Sequence, residues 1–157
     1  MKRLALFLLL VCGLSVVNLS AKDSAPVFKA VEVKHFAQGD GVALSQDFVN
    51  SFYAGLCEDL LKTKVTDQLL EEGATIPAVD AADSAVVEGK FTEYKKGGGF
   101  SIGGLSLEIG VYRKSDHTLI KMLTPRVPIK PSPFNKDNKV GQISGERAAY
   151  EIKRALK

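Results

Sequence analysis

The chain has 157 residues, 45% of them apolar and 25% charged, with 21 lysines and arginines against 18 acids. That is enough apolar chain for one domain with a real core, which excludes a disordered tail or linker. A balance this close to neutral also gives no electrostatic footing for nucleic acid.

Met1-Lys2-Arg3 is a basic start, followed by an apolar run over 4–17 and then Asn18-Leu19-Ser20-Ala21, with a small residue at its end. This is the order of regions in a cleavable secretory signal. The run is shorter than the roughly 20 residues a membrane span needs. Residues 1–21 are therefore expected to be a signal peptide, and 22–157 a single α+β domain. Cleavage removes Lys2 and Arg3 but no acid, leaving 19 basic residues against 18 acidic ones and a net charge of +1. Leu9-Leu10-Val11-Cys12 also has the outline of a bacterial lipobox, which makes Cys12 a candidate for lipidation. Val11 is bulkier than the small residue that normally precedes such a cysteine, so cleavage after Ala21 is preferred. Cys57 is then the one cysteine left, with no disulfide available to it. Its spacing from Val49, Tyr53 and Leu61 places it on a helix as a buried small apolar residue.

In chain order, alternation of Val31 and Val33 with Glu32 and Lys34 predicts a strand over 29–36. Residues 38–41 form a turn, and Ser45 caps a helix over about 45–62 with Asp47 in its first turn. Phe48, Phe52, Leu56 and Leu60 form its apolar face. A second strand is expected over 64–70 and a loop over 73–83. Ala85, Val87 and Phe91 mark a third strand. Leu105, Leu107, Ile109 and Val111, alternating with Ser106, Glu108, Gly110 and Tyr112, mark a fourth. A turn at 115–117 leads into a fifth over 118–123, making an antiparallel meander. Pro125, Pro128, Pro131 and Pro133 make 124–138 an extended surface connection, because proline lacks the amide a central strand needs. Ser144 then caps a closing helix with Ala148, Ile152, Ala155 and Leu156 on its apolar side. The expected fold is α+β, a mostly antiparallel or mixed sheet of about five strands with two helices packed on one face, in the order strand-helix-strands-helix.

Candidate chemistry is sparse. The glycine-rich stretch 95–104 lacks the Gly-Lys-Ser/Thr of a phosphate loop and joins two strands, so a hairpin loop is the expected role. His35 is expected to be partly buried beside Val31 and Val33, and His117 to sit in a solvated turn. Two distant histidines with no second cysteine give no zinc site, and Asp80 and Asp83 lack the ligand spacing of a calcium loop. No cofactor, metal or catalytic set is expected. Arg126, Lys130, Lys136 and Lys139 face a single acid, Asp137, across the proline-spaced segment. They form a candidate binding strip for an anionic membrane surface or an acidic envelope partner.

The run Ala82-Asp83-Ser84-Ala85-Val86-Val87-Glu88-Gly89-Lys90-Phe91-Thr92-Glu93-Tyr94, the glycine-rich loop after it and the alternating strand over 105–111 resemble a family of exported bacterial proteins known as domain of unknown function 4410. The resemblance extends over most of the chain after the signal. It implies a small periplasmic or outer-membrane envelope protein, many of its members being lipoproteins, and it brings no activity or catalytic residue with it.

The reading is thus an exported, non-catalytic binding or accessory domain, in the periplasm or at the outer membrane, with an envelope protein or membrane surface as partner. Two alternatives stand beside it. One is a small periplasmic hydrolase using dispersed residues such as His35, Asp80 and Asp83. The other is a carrier of an apolar ligand, which requires a cavity of a few hundred Å³ between sheet and helices.

Overall fold

The computed structural model describes residues 25–97, 102–130 and 136–157. Its elements are β1 (Val31–Val33), β2 (Ala37–Gln38), α1 (Gln46–Lys62), β3 (Leu69–Leu70), α2 (Ala78–Ala82), β4 (Ala85–Lys95), β5 (Gly103–Arg113), β6 (Leu119–Leu123), β7 (Arg126–Ile129) and α3 (Asp137–Ala155). They form one mixed sheet in the order β3-β1-β4-β5-β6, with β2 also on β4 and β7 also on β5. The sheet is therefore five lanes wide, and the α+β architecture expected above is the one observed. β1 lies parallel to both β3 and β4, whereas β4, β5 and β6 form the antiparallel meander.

The core lies between one sheet face and two long helices. Phe48, Phe52, Leu56 and Leu60 of α1 pack against Val31, Val87, Phe91 and the inward row Leu105, Leu107, Ile109 and Val111. The Ser45 side chain accepts from the Phe48 amide at 3.2 Å, so it caps α1 as its residue type predicts. The same hydroxyl donates to Asp137 Oδ2 at 2.8 Å, tying the starts of α1 and α3 together. The Asp137 carboxyl is held below its ordinary range, first by that hydroxyl and then by Lys96.

Three expectations are corrected. The stretch expected as a loop over 73–83 contains the short helix α2. The proline-spaced connection contains β7, which tolerates Pro128 because it is an outer strand that pairs, among the described residues, with β5 alone. And α3 begins at Asp137, not at Ser144, which lies buried in mid-helix. The reason is the contact with α1. Gly141 and Gly145 lie against the carbonyl oxygens of Phe48 and Phe52, and Gly55 against that of Gln142, each too close to admit a Cβ. From Phe48–Gly141 to Phe52–Gly145 the contacts advance four residues along both helices, and Ser45 meets Asp137 at their starts, so α1 and α3 run parallel at glycine-limited separation. Tertiary packing thus overrides the poor helix propensity of Gly141 and Gly145.

The opposite sheet face is polar and holds one buried charge among the described residues. The Glu32 carboxylate accepts from the Gly73 amide at 2.7 Å and from the Lys114 ammonium. Burial pushes its pKa up, yet the Gly73 amide and Lys114 overcome that and leave it below the ordinary value. The pair fastens the loop after β3 to the far end of β5. Nearby, Lys34 pairs with Glu88 at 2.6 Å, and His117 stacks on Tyr112 with centroids 4.4 Å apart.

Candidate functional site

A groove runs between β7 and the first turns of α3. Along β7 the side chains alternate, so Val127 and Ile129 turn toward the helices while Arg126 and Pro128 turn away. Val140 and Ser144 of α3 face them across the gap, and Ile143 stands at the rim, 50% exposed. Together with Pro128 and Lys130 these residues enclose about 250 Å³. Apart from Lys130 at its edge, the wall is apolar but for one group. Ser144 Oγ is fully buried and has no hydrogen-bond partner among the described residues. Leaving such a hydroxyl unpaired costs about 1–3 kcal/mol.

The space between sheet and helices is otherwise filled, with α1 and the inward rows of β4 and β5 all buried. The groove is at the rim of the core. Its volume falls below the roughly 300–1,000 Å³ of small-molecule pockets, and suits a side chain or two of another protein.

Of the candidate basic strip, all four residues are exposed but they do not share a face. Arg126 lies on the polar sheet face, paired in register with Ser106, whereas Lys136 caps α3 and Lys139 lies in its first turn on the helical layer. Lys130 lies at the groove's mouth. Residues 131–135, which join the two halves, are outside the described residues, as are Cys12 and residues 98–101 of the glycine-rich loop. That loop does join two strands: Lys95 pairs with Gly104 across its base.

His35 is not partly buried. The chain leaves the sheet after Val33, and the imidazole is 80% exposed, with Nδ1 2.6 Å from Glu72 Oε2. Asp80 pairs with Lys29, and Asp83 accepts the Lys29 amide on its carbonyl. His35 and these aspartates stand at opposite ends of β1, roughly 20 Å of extended chain apart, so the structure does not assemble them. His117 has the left-handed backbone of a turn, at φ 54°. Among the described residues no group of three or more His, Cys, Asp or Glu is placed to hold a metal ion. Cys57 is half-buried, and burial raises its thiol pKa. No helix among the described residues is long and apolar enough to cross a membrane. The groove itself went unrecognised in the sequence. Its one local signal was the pair of inward apolar residues around Pro128.

No family model matches this sequence, and no curated protein matches it. Solved structures do share the fold. A PelC variant dodecamer from Paraburkholderia phytofirmans is similar with a TM-score of 0.58 at 10% identity, over 85% of this chain and 92% of that one. A Xanthomonas campestris protein of the family called domain of unknown function 330 reaches 0.50 at 8% identity, over 83% and 82%. A lipoprotein from Neisseria meningitidis reaches 0.47 at 11% identity, over 80% and 99%. At these identities the likeness of the first two is one of fold alone.

Proposed function

We propose that this chain is an exported, non-catalytic docking domain of the bacterial envelope, which binds a partner protein through the groove between β7 and α3. The observation that carries the reading is the groove's wall: Val127, Ile129, Val140 and Ile143 around the unpaired hydroxyl of Ser144. Such a wall takes the apolar side chains of a partner segment, with Lys130 at its mouth. The secretory features of residues 1–21 supply the envelope address. The fold of a protein solved as a dodecamer supports a role in an assembly. The resemblance of the hairpin β4–β5 to domain of unknown function 4410 belongs to the same reading.

The placement of the segment before β1 leaves the groove open to a protein partner whether or not Cys12 carries a lipid. The leader enters the fold at Phe28, which bridges Thr66 near the Ala85 end of β4, whereas β7 lies beside the Lys95 end. Those ends are roughly 35 Å apart. A domain tethered through its leader can therefore present the groove away from the lipid.

The test is photo-crosslinking in intact envelope from a benzoylphenylalanine at position 143, with position 61 on α1 as a remote exposed control. The expected result is a discrete adduct from position 143 alone, lost when Val140→Asp closes the groove to apolar side chains. Equal labelling from both positions, or an Ile143→Asp variant with full biological activity and an unchanged melting temperature, overturns the reading.

A further inference from the structure

The two open edges of the sheet differ in chemistry. β6 is an outer strand whose neighbour is β5, and it exposes Leu119, Ile120 and Met122 by 48%, 38% and 50%. An outer strand this apolar is a template for further pairing unless something covers it. At the other edge, the run 66–70 lies extended along 28–32, bridged at Phe28–Thr66 and paired at Val31–Leu69 and Glu32–Leu70. No strand among the described residues pairs with its outer side. This run ends in Glu71 and Glu72, both exposed.

We infer that β6 of one copy pairs with the β3 edge of the next, so that copies of this chain join head to tail into a continuous sheet. Register across the molecule supports the match. Leu119 is level with Tyr112, Tyr112 with Val86, Val86 with Glu32, and Glu32 with Leu70. One step further, Lys121 is level with Val111, Val87 and Val33, and therefore with Glu71, the residue after Leu70. β6 and β3 point the same way, because two antiparallel steps lead from β6 to β4 and two parallel ones from there to β3. β6 carries one extra residue at its irregularity against Val111 and Tyr112, so two copies set side by side with Lys121 opposite Glu71 bring Leu119 opposite Leu69 in a regular parallel ladder. Neither Lys121 nor Glu71 has an ion-pair partner among the described residues, so the contact pairs two unused charges of opposite sign. A two-fold alternative, β6 against β6, places Lys121 at the centre facing itself, and like charges opposed across a sheet are unfavourable. A head-to-tail contact of this kind closes into a ring when its rotation allows.

The test is sedimentation of the exported chain as the cell processes it, with Lys121→Glu and Glu71→Lys variants. The wild type is expected to form species larger than a dimer. Each single reversal should weaken association at least tenfold, and mixing the two variants should restore it, because each then offers the other a matched edge. A wild type that stays monomeric up to about 1 mM overturns the inference, as does indifference to both reversals. Rescue of Lys121→Glu by wild type, with Glu71→Lys silent, assigns a β6–β6 dimer and also overturns it. Ile143→Asp should leave sedimentation unchanged, and Lys121→Glu should leave the position-143 adduct in place, so the edge contact and the groove reading fail separately.

Discussion

Gly145→Ala tests the arrangement of the two helices, because two effects of opposite sign compete there. In an exposed helix the change favours folding by about 1 kcal/mol. Here the new methyl would meet the Phe52 carbonyl oxygen and the Leu56 amide nitrogen, both backbone atoms of α1. Those atoms are held by α1's own hydrogen bonds and cannot rotate aside, so the helices must separate. Separation also loosens the contacts at Gly141 and Gly55, which are limited in the same way. Forcing extra volume into packed contact costs about 1–3 kcal/mol, sometimes more, and a backbone clash belongs at the upper end. The net expectation is a loss of about 2 kcal/mol, or roughly 6 °C in melting temperature for a domain of this size. Far-UV circular dichroism during heating, with urea unfolding beside it, measures both numbers. Gly104→Ala serves as the control, since a Cβ there finds its nearest neighbour, Arg126 Nε, at an ordinary 3.6 Å. A Gly145→Ala variant that melts at or above the wild-type temperature refutes the glycine-limited contact between α1 and α3.

Glu32 links stability to acid. Its folded pKa lies below the ordinary 4.5, so its contribution is fully present above that value and is lost as pH falls through the lower folded one. Melting temperatures between pH 5 and pH 3 should therefore decline less steeply in Glu32→Gln than in the wild type, and parallel declines would remove the assignment. Lys114→Met strands the buried carboxylate and should cost about 3–5 kcal/mol, with partial recovery in the Glu32→Gln, Lys114→Met double variant; urea unfolding checks both. Cys57, with its thiol pushed up by burial, should react with iodoacetamide at pH 8 far more slowly in the folded chain than in urea, and equal rates would contradict its placement. Mass spectrometry of the processed chain should find a start at Lys22, whereas a diacylated Cys12 would replace cleavage after Ala21 with a lipid anchor.

The fold was legible where a single element carries its own period. The four-residue recurrence of Phe48, Phe52, Leu56 and Leu60 and the strict alternation from Leu105 to Val111 each describe one face against one core, and both elements lie where they were expected. Legibility failed at α3 for a physical reason. A helix start is read from a capping residue before an apolar stripe, and Ser144 before Ala148 and Ile152 has that appearance. The turns before it carry Gly141 and Gly145, which propensity counts against a helix. Their value appears only when α1 is beside them, and nothing in a local window reports a neighbour that lies 90 residues away.

The groove was hidden for a related reason. Val127 and Ile129 alternate around a proline that normally argues against a strand, and Val140 and Ile143 are too few to stand out on a helix whose start was misplaced. Each pair is uninformative alone. They become a site because the register of β7 on β5 turns one pair inward and the close approach of α3 to α1 fixes the other pair opposite it. The basic residues illustrate the converse. Arg126, Lys130, Lys136 and Lys139 are conspicuous in the sequence, yet strand alternation sends Arg126 to the polar face while Lys139 rises with the helix. What sequence proximity joined, the two layers separate, and the recognition chemistry that remains together is apolar, built around one buried hydroxyl.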